Sequence, residues 1–281
     1  MIKIFGAIII VILILGVILG VNLSSQKTSY RSFASPSFEP LDVRISNQTD
    51  NSLSISWLTK NKTVGFIAYG TTPELGQAYA DDRDKDGRAE RLTHYVTLKN
   101  LDPQTEIYFR ISSGSEIFDQ KGQPFLVKTA PTSGTTPEVS LPLAGSVSGA
   151  DQDTLIFARV DSGSLISTYP NSGGRWVLPL NNSRTTDLKA YLKLGDTSQI
   201  ALFAQTSNGT TQQKLILKKA LEVVNLNIVP NATPEASFLA TLTDLTLYES
   251  PATQITDPED LNRDGQVNIF DRILKLRQLL K

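Results

Sequence analysis

In the run Ser52-Leu53-Ser54-Ile55-Ser56-Trp57, small polar and apolar residues alternate one for one. Successive side chains of a strand point to opposite faces, so Leu53, Ile55 and Trp57 share one side and the three serines the other. A helix would scatter the same residues around its circumference. The run is therefore a strand with one apolar face, and that face has to be buried against another layer. Comparable short runs at 41–46, 64–69, 92–98, 106–112 and 125–128 are separated by turn residues, the pattern of a β-sandwich over residues 41–129. Trp57 belongs to its core as a packing anchor rather than to a ligand platform. His94 is the one histidine of the chain and has the parity of Leu92, Val96 and Leu98. That places it on or beside the core face, with no second histidine to share catalytic work.

Residues 130–138, rich in Pro, Thr, Ser and Gly, read as an inter-domain linker. Strand-like runs then return at 144–148, 155–160, 175–180, 200–205, 214–217 and 223–229, a second β-sandwich over residues 139–250. Trp176 is again expected in a core. Residues 236–247 alternate too irregularly to assign, although their threonines favour a strand. The fold class is mainly β: two tandem β-sandwich domains with an N-terminal transmembrane helix and a short C-terminal calcium loop-helix module.

The amino-terminal expectation rests on Ile4 to Val21, about 18 residues without a charge and near the length of a bilayer-spanning helix. No Ala-x-Ala site follows it, and the chain has no cysteine for lipid attachment. Residues 1–23 read as an uncleaved anchor, with a cleaved signal peptide as the alternative. Residues 24–40 read as a flexible stalk. Lys3 is balanced by Lys27 and Arg31 beyond the run, so the flanking charges barely orient it. The long β body orients it instead, giving a single-pass protein of the cell membrane with its body extracellular. With 27 basic against 28 acidic residues, there is no dense basic face for nucleic acid. Without cysteine, any covalent-strength staple has to be an oxygen-bound metal.

Residues 251–281 supply such a staple. Asp260, Asn262, Asp264, Gly265, Gln266, Asn268 and Asp271 occupy positions 1, 3, 5, 6, 7, 9 and 12 of a calcium loop. Oxygens from Asp260, Asn262 and Asp264 converge on the ion, Gly265 makes the sharp turn, Gln266 lends its backbone carbonyl, Asn268 coordinates directly or through water, and Asp271 closes the shell. Three carboxylates around one ion imply an affinity on the order of 10⁻⁴ M. A helix follows, with Ile269, Ile273, Leu276 and Leu280 on one stripe that needs a partner surface. A second stretch, Asp82, Asp84, Asp86 and Gly87, repeats the opening of such a loop. Thr93 stands at its closing position, however, and Arg83, Lys85, Arg88 and Arg91 neutralise it, so a plain solvated loop is the preferred reading.

At residues 260–271 the chain resembles one repeat of a type I dockerin, the calcium-dependent module that docks onto cohesins. The resemblance covers about 22 residues, half of the usual two-repeat module. Ile269 and Phe270 stand where dockerins carry small polar residues, which points to packing on this chain's own body or on a second copy. Trp57, the Tyr69-Gly70 strand end and the Leu101-Asp102-Pro103-Gln104-Thr105 turn resemble, in order, a fibronectin type III domain of the kind found at the amino end of purple acid phosphatases. In that family a tyrosine usually holds the corner where Ile107 stands, so the corner bond is expected to be missing or remade. Gly145, the 155–160 run and the segment from Gly173 to Leu180 weakly resemble a carboxypeptidase-regulatory-like sandwich.

These readings imply a membrane-anchored, non-catalytic surface protein whose sandwiches present a calcium-binding module for docking or adhesion. The protein partner would be cohesin-like or a second copy of the chain. The alternative is a carbohydrate-binding or polysaccharide-degradation accessory role. No enzyme activity is expected, because a phosphatase site needs several histidine ligands and no region is long enough for a catalytic domain beside two sandwiches.

Overall fold

The computed structural model describes residues 38–84, 89–137, 141–207, 209–220 and 223–232, all within one compact unit, Ser35–Lys281. Every described element of regular structure is a strand, apart from a 3-10 turn at Leu180–Asn182 and the single helical turn Leu217–Ala220. Among the described residues no helix is long and apolar enough to cross a membrane. The expected anchor at residues 1–23, the stalk up to Ser37 and the calcium loop-helix at 251–281 lie outside the described residues.

The first sandwich has two sheets. One is β1 (Leu41–Ser46), β2 (Ser52–Thr63) and β5 (Arg91–Lys99), all antiparallel in the order β1-β2-β5. The other orders β4 (Gln77–Ala80), β3 (Gly65–Gly70) and β6 (Glu106–Ser113), with β7 (Glu116–Phe118) and β8 (Phe125–Lys128) both pairing along β6. Leu53, Ile55 and Trp57 of β2 pack with Val96 and Leu98 of β5 and with Ile67, Ile107, Phe109 and Ile111 of the facing sheet, as the alternation demands. The corner is remade without a tyrosine. Ile107 is buried, and the Tyr108 hydroxyl turns to Glu106 at 3.2 Å. The Thr129 hydroxyl instead donates to the Asp102 carbonyl (2.6 Å) and accepts from the Thr105 amide (2.9 Å).

The second sandwich pairs a three-stranded sheet with a five-stranded one. The smaller orders β12 (Arg175–Pro179), β9 (Pro142–Ser148) and β15 (Val224–Asn227), and β15 runs parallel to β9. The larger orders β11 (Ile166–Thr168), β10 (Leu155–Val160), β13 (Gln199–Gln205), β14 (Gly209–Ile216) and β16 (Val229–Pro230). Their core joins Leu143, Val147, Trp176 and Leu178 to Ile156, Val160, Ile200 and Leu202. All six residues of β10 are buried, which explains why its sequence is apolar at every position but Arg159 rather than alternating: both faces of the strand are covered.

Each sandwich places a glycine beneath its tryptophan. A Cβ on Gly65 would come within 2.3 Å of His94 Nδ1 and 2.7 Å of Trp57 Cζ2. A Cβ on Gly145 would meet the Val224 carbonyl at 2.1 Å and Trp176 Cζ2 at 2.5 Å, so the bare α-carbon is what lets β15 lie against β9. Both rings beside Gly65 are fully buried and have nowhere to retreat. Gly65→Ala is therefore expected to destabilise the protein by about 1–3 kcal/mol through overpacking, read as a lower urea midpoint with unchanged slope.

Candidate functional site

Two groupings of buried polar side chains bear on function, one in the core of the first sandwich and one at its joint with the second. The core grouping is His94. It lies directly across the ladder from Trp57, and the two rings stack at 4.7 Å with a 16° tilt. Neither imidazole nitrogen has a hydrogen-bond partner among the described residues. Burial pushes its pKa down to about 4, with Arg83 and Arg91 adding to the fall and Asp81 opposing it. A neutral, enclosed ring stacked on tryptophan is a packing element, in keeping with its strand parity. Trp176 is likewise buried.

The joint is larger. The serine face of β2 does not meet solvent: Ser54 and Ser56 are buried, as are Thr93 and Tyr95 of β5. Opposite them stand the outer faces of β10, β11 and β13. Tyr95, Leu155, Phe157, Leu165 and Phe203 form one apolar cluster. Arg44 of β1 holds Asp42 at 2.6 Å and lies over the Phe157 and Phe203 rings at 4.8 and 5.4 Å.

Hydrogen bonds then fix the register between the bodies. Asn47, in a left-handed turn (φ 50°) that asparagine tolerates, donates from Nδ2 to the Tyr95 hydroxyl (2.7 Å) and the Ser167 carbonyl (3.0 Å). Its Oδ1 accepts the Ser167 amide at 2.9 Å. The hydroxyls of Ser46 and Tyr95 meet that of Ser167 at 2.6 and 2.8 Å. Burial, the largest influence, pushes the Tyr95 phenol up to about 12, so it stays a neutral donor.

A second set of bonds is ionic. The Asp153 carboxylate accepts the Leu92 amide at 2.9 Å, and the Thr93 hydroxyl donates to the Asp153 carbonyl at 2.7 Å. Arg83 and Arg91 both reach the Gln152 carbonyl, at 3.2 and 2.9 Å. Asp81 anchors Arg83 through two bonds of 2.8 Å and accepts the Tyr95 amide at 2.8 Å. Burial raises the Asp81 pKa, but the Arg83 guanidinium and the two backbone amides outweigh it and leave the carboxyl below its ordinary value. Farther along, Arg184 is fully buried over Tyr191 at 4.1 Å and lies 3.6 Å from Asp50.

Asp260, Asn262, Asp264, Gln266, Asn268 and Asp271 lie outside the described residues, as do Asp86 and Gly87. The described part of the second acidic stretch is occupied by its own chain. Asp82 accepts the Thr97 amide and hydroxyl at 2.9 and 2.6 Å, and Asp84 accepts the Ala89 amide at 2.5 Å. Among the described residues no cluster of three or more metal-ligating side chains occurs. The joint itself was not foreseen from the sequence. Its only advance signs are the unbroken burial pattern of β10 and the asparagine that follows β1.

Residues 40–129 match the family described as purple acid phosphatase, N-terminal domain. The first sandwich is thus fibronectin type III-like, and the matched domain is the non-catalytic one of that enzyme family. No curated protein matches the chain. Among solved structures, the chain is similar to a myokine structure at 23% identity, covering 34% of this chain and 99% of that one, with a TM-score of 0.24. It is also similar to a two fibronectin type-III domain segment of chicken tenascin at 13% identity, covering 63% and 98%, with a TM-score of 0.22. A third similarity is to the FN1–FN3 domains of chicken CNTN1 at 13%, covering 63% of this chain and 64% of that one, with a TM-score of 0.23.

Two outcomes follow from the joint and the core. Tyr95→Phe keeps the ring and removes only the hydroxyl shared by Asn47 and Ser167, so a loss of about 1–2 kcal/mol is expected. A cycle with Ser167→Ala should be non-additive. For His94, the unfolded chain protonates near 6.5 and the folded one near 4. Between those values the unfolded state binds more protons, so stability falls as pH drops from 6.5 and levels off near 4, by about 3 kcal/mol at most. The stability that Asp81 adds, its carboxyl being held low, is present above its ordinary 3.8 and is lost only as pH falls below about that value, outside the His94 window. Denaturation midpoints measured from pH 7 to pH 4 should flatten in His94→Phe; an unchanged slope would remove His94 as the cause.

Proposed function

We propose that the chain is a membrane-anchored, non-catalytic extracellular surface protein. In this reading residues 1–23 hold it in the cell membrane, the two sandwiches act as one stiff spacer, and the loop of residues 260–271 binds calcium and docks the free end onto a protein. The observation that carries the spacer role is the joint, where outer sheet faces that a string of separate modules would leave to solvent are spent on each other through Asn47, Tyr95, Ser167 and Asp153. The match of residues 40–129 to a non-catalytic domain supports the absence of a reaction in the first sandwich. The second sandwich, with the Gly173-Gly174 turn leading into Trp176 of β12, is proposed to be carboxypeptidase-regulatory-like.

Calcium is the proposed metal, held by Asp260, Asn262, Asp264, Asn268, Asp271 and the Gln266 carbonyl. The partner is a cohesin-like protein or a second copy; Ile269 and Phe270, apolar where dockerins carry small polar residues, favour packing on this chain's own body or on the second copy. The expected result is calcium binding on the order of 10⁻⁴ M by titration calorimetry of the full chain, lost in the Asp260→Ala, Asp264→Ala double variant. Elution volume with and without calcium separates self-association from docking on another protein. Identical titrations for wild type and double variant would overturn the metal site.

A further inference from the structure

The fibronectin-like sandwich has a cleft at the β4 edge. Its two sheets are of unequal width, and β4 is an edge strand that pairs only with β3. Across the β3–β4 ladder Ile67 pairs Tyr79 and Tyr69 pairs Gln77, and directly opposed residues share a face. Since Ile67 and Tyr69 point into the core, Gln77 and Tyr79 sit on the inward side of β4, at the edge of the sheet. Both are exposed, Tyr79 at 37%. The result is a cleft of about 550 Å³ between β4 and the turn from Lys99 to Asp102, within the range of about 300–1,000 Å³ typical of small-ligand sites.

The walls of this cleft are held in place. The Tyr69 hydroxyl donates to Gln77 Oε1 at 2.6 Å, which fixes the amide and leaves its Nε2 hydrogens for a ligand acceptor. The Tyr69 and Tyr79 rings lie 5.6 Å apart at 48°. The turn beneath is locked, because Leu75 adopts a left-handed φ of 64° and packs so closely on Gly70 that a Cβ there would stand 2.7 Å from the Leu75 α-carbon.

We propose that this cleft is a binding subsite for a neutral sugar ring. An exposed tyrosine offers the flat apolar face on which the axial hydrogens of a pyranose can lie. The Gln77 amide and the exposed Lys99 and Asp102 offer donors and an acceptor for its hydroxyls. Lys99 and Asp102 carry opposite charges, so an anion gains at one wall what it loses at the other, and a cation likewise. An uncharged polyol meets no such penalty, and a purely apolar ligand would strip water from three polar side chains without replacing it. None of the residues that make the joint lines this cleft, so occupancy and spacer stiffness are independent.

The test is calorimetric titration of the full-length protein with cellotetraose, xylotetraose and chitotetraose to about 10 mM. At least one is expected to bind, and Tyr79→Ala is expected to weaken it about tenfold or more, equivalent to about 1.4 kcal/mol. Gln77→Glu keeps the acceptor for Tyr69 but removes the amide donor, and should weaken binding about fivefold or more without altering the melting temperature. This second variant keeps the reading clear if Tyr79→Ala unfolds. Absence of binding by all three sugars, or equal binding by wild type and both variants, overturns the proposal. Calcium titration of the same samples reports separately on the docking loop.

Discussion

A polar face buried against an aromatic one is the constraint on which the described body depends. The outer side of β1-β2-β5 carries serine, threonine and a tyrosine hydroxyl, groups that leave water at a cost unless they find partners; all but the Ser56 hydroxyl among those buried there do so. Asn47 and Ser167 supply partners at one pole, and Asp153 with the Gln152 carbonyl at the other. Between them Phe157 and Phe203 give apolar area, with Arg44 laid across the rings. Directional bonds at both poles and dispersion in the middle leave one docking register. A purely apolar joint of the same size could slide.

That joint also explains why the first sandwich presents so little free chemistry. Arg83, Arg91 and Asp81 would make an attractive charged cluster on an isolated domain. Here they hold β5 to the β9–β10 turn, and Asp81 is held ionised by Arg83 and two backbone amides. His94 is occupied in a different way, by stacking on Trp57 above Gly65. Residues with catalytic potential are thereby committed to architecture.

The strands with a regular alternation or a mostly apolar run were legible in the sequence. Residues 41–46, 125–128 and 155–160 coincide with β1, β8 and β10, and both tryptophans are core residues as their strand positions required. Strands β4, β7 and β11 escaped notice because they are short edge segments. Gln77-Ala78-Tyr79-Ala80 has no apolar alternation, being held by its ladder to β3 rather than by a buried face. The joint was illegible for a different reason. Alternation reports that two faces differ, not that the polar one meets water, and the serines of β2 read the same way in either case. The linker over residues 130–138 was inferred from composition alone, which carries no information about contacts made elsewhere between the bodies it connects.

Asn47 follows β1 directly, yet it bonds to Ser167 in the second sandwich. A pull applied to the chain at Leu41 therefore reaches the far body within a single strand's length, without first travelling through β2 to β8 and the Pro-rich connection. The load divides between the β1–β2 ladder and the Asn47 bonds. Strands β3 to β8 are thus partly shielded from a tension drawn between Leu41 and the second sandwich, which the β1–β2 ladder and this asparagine turn carry first.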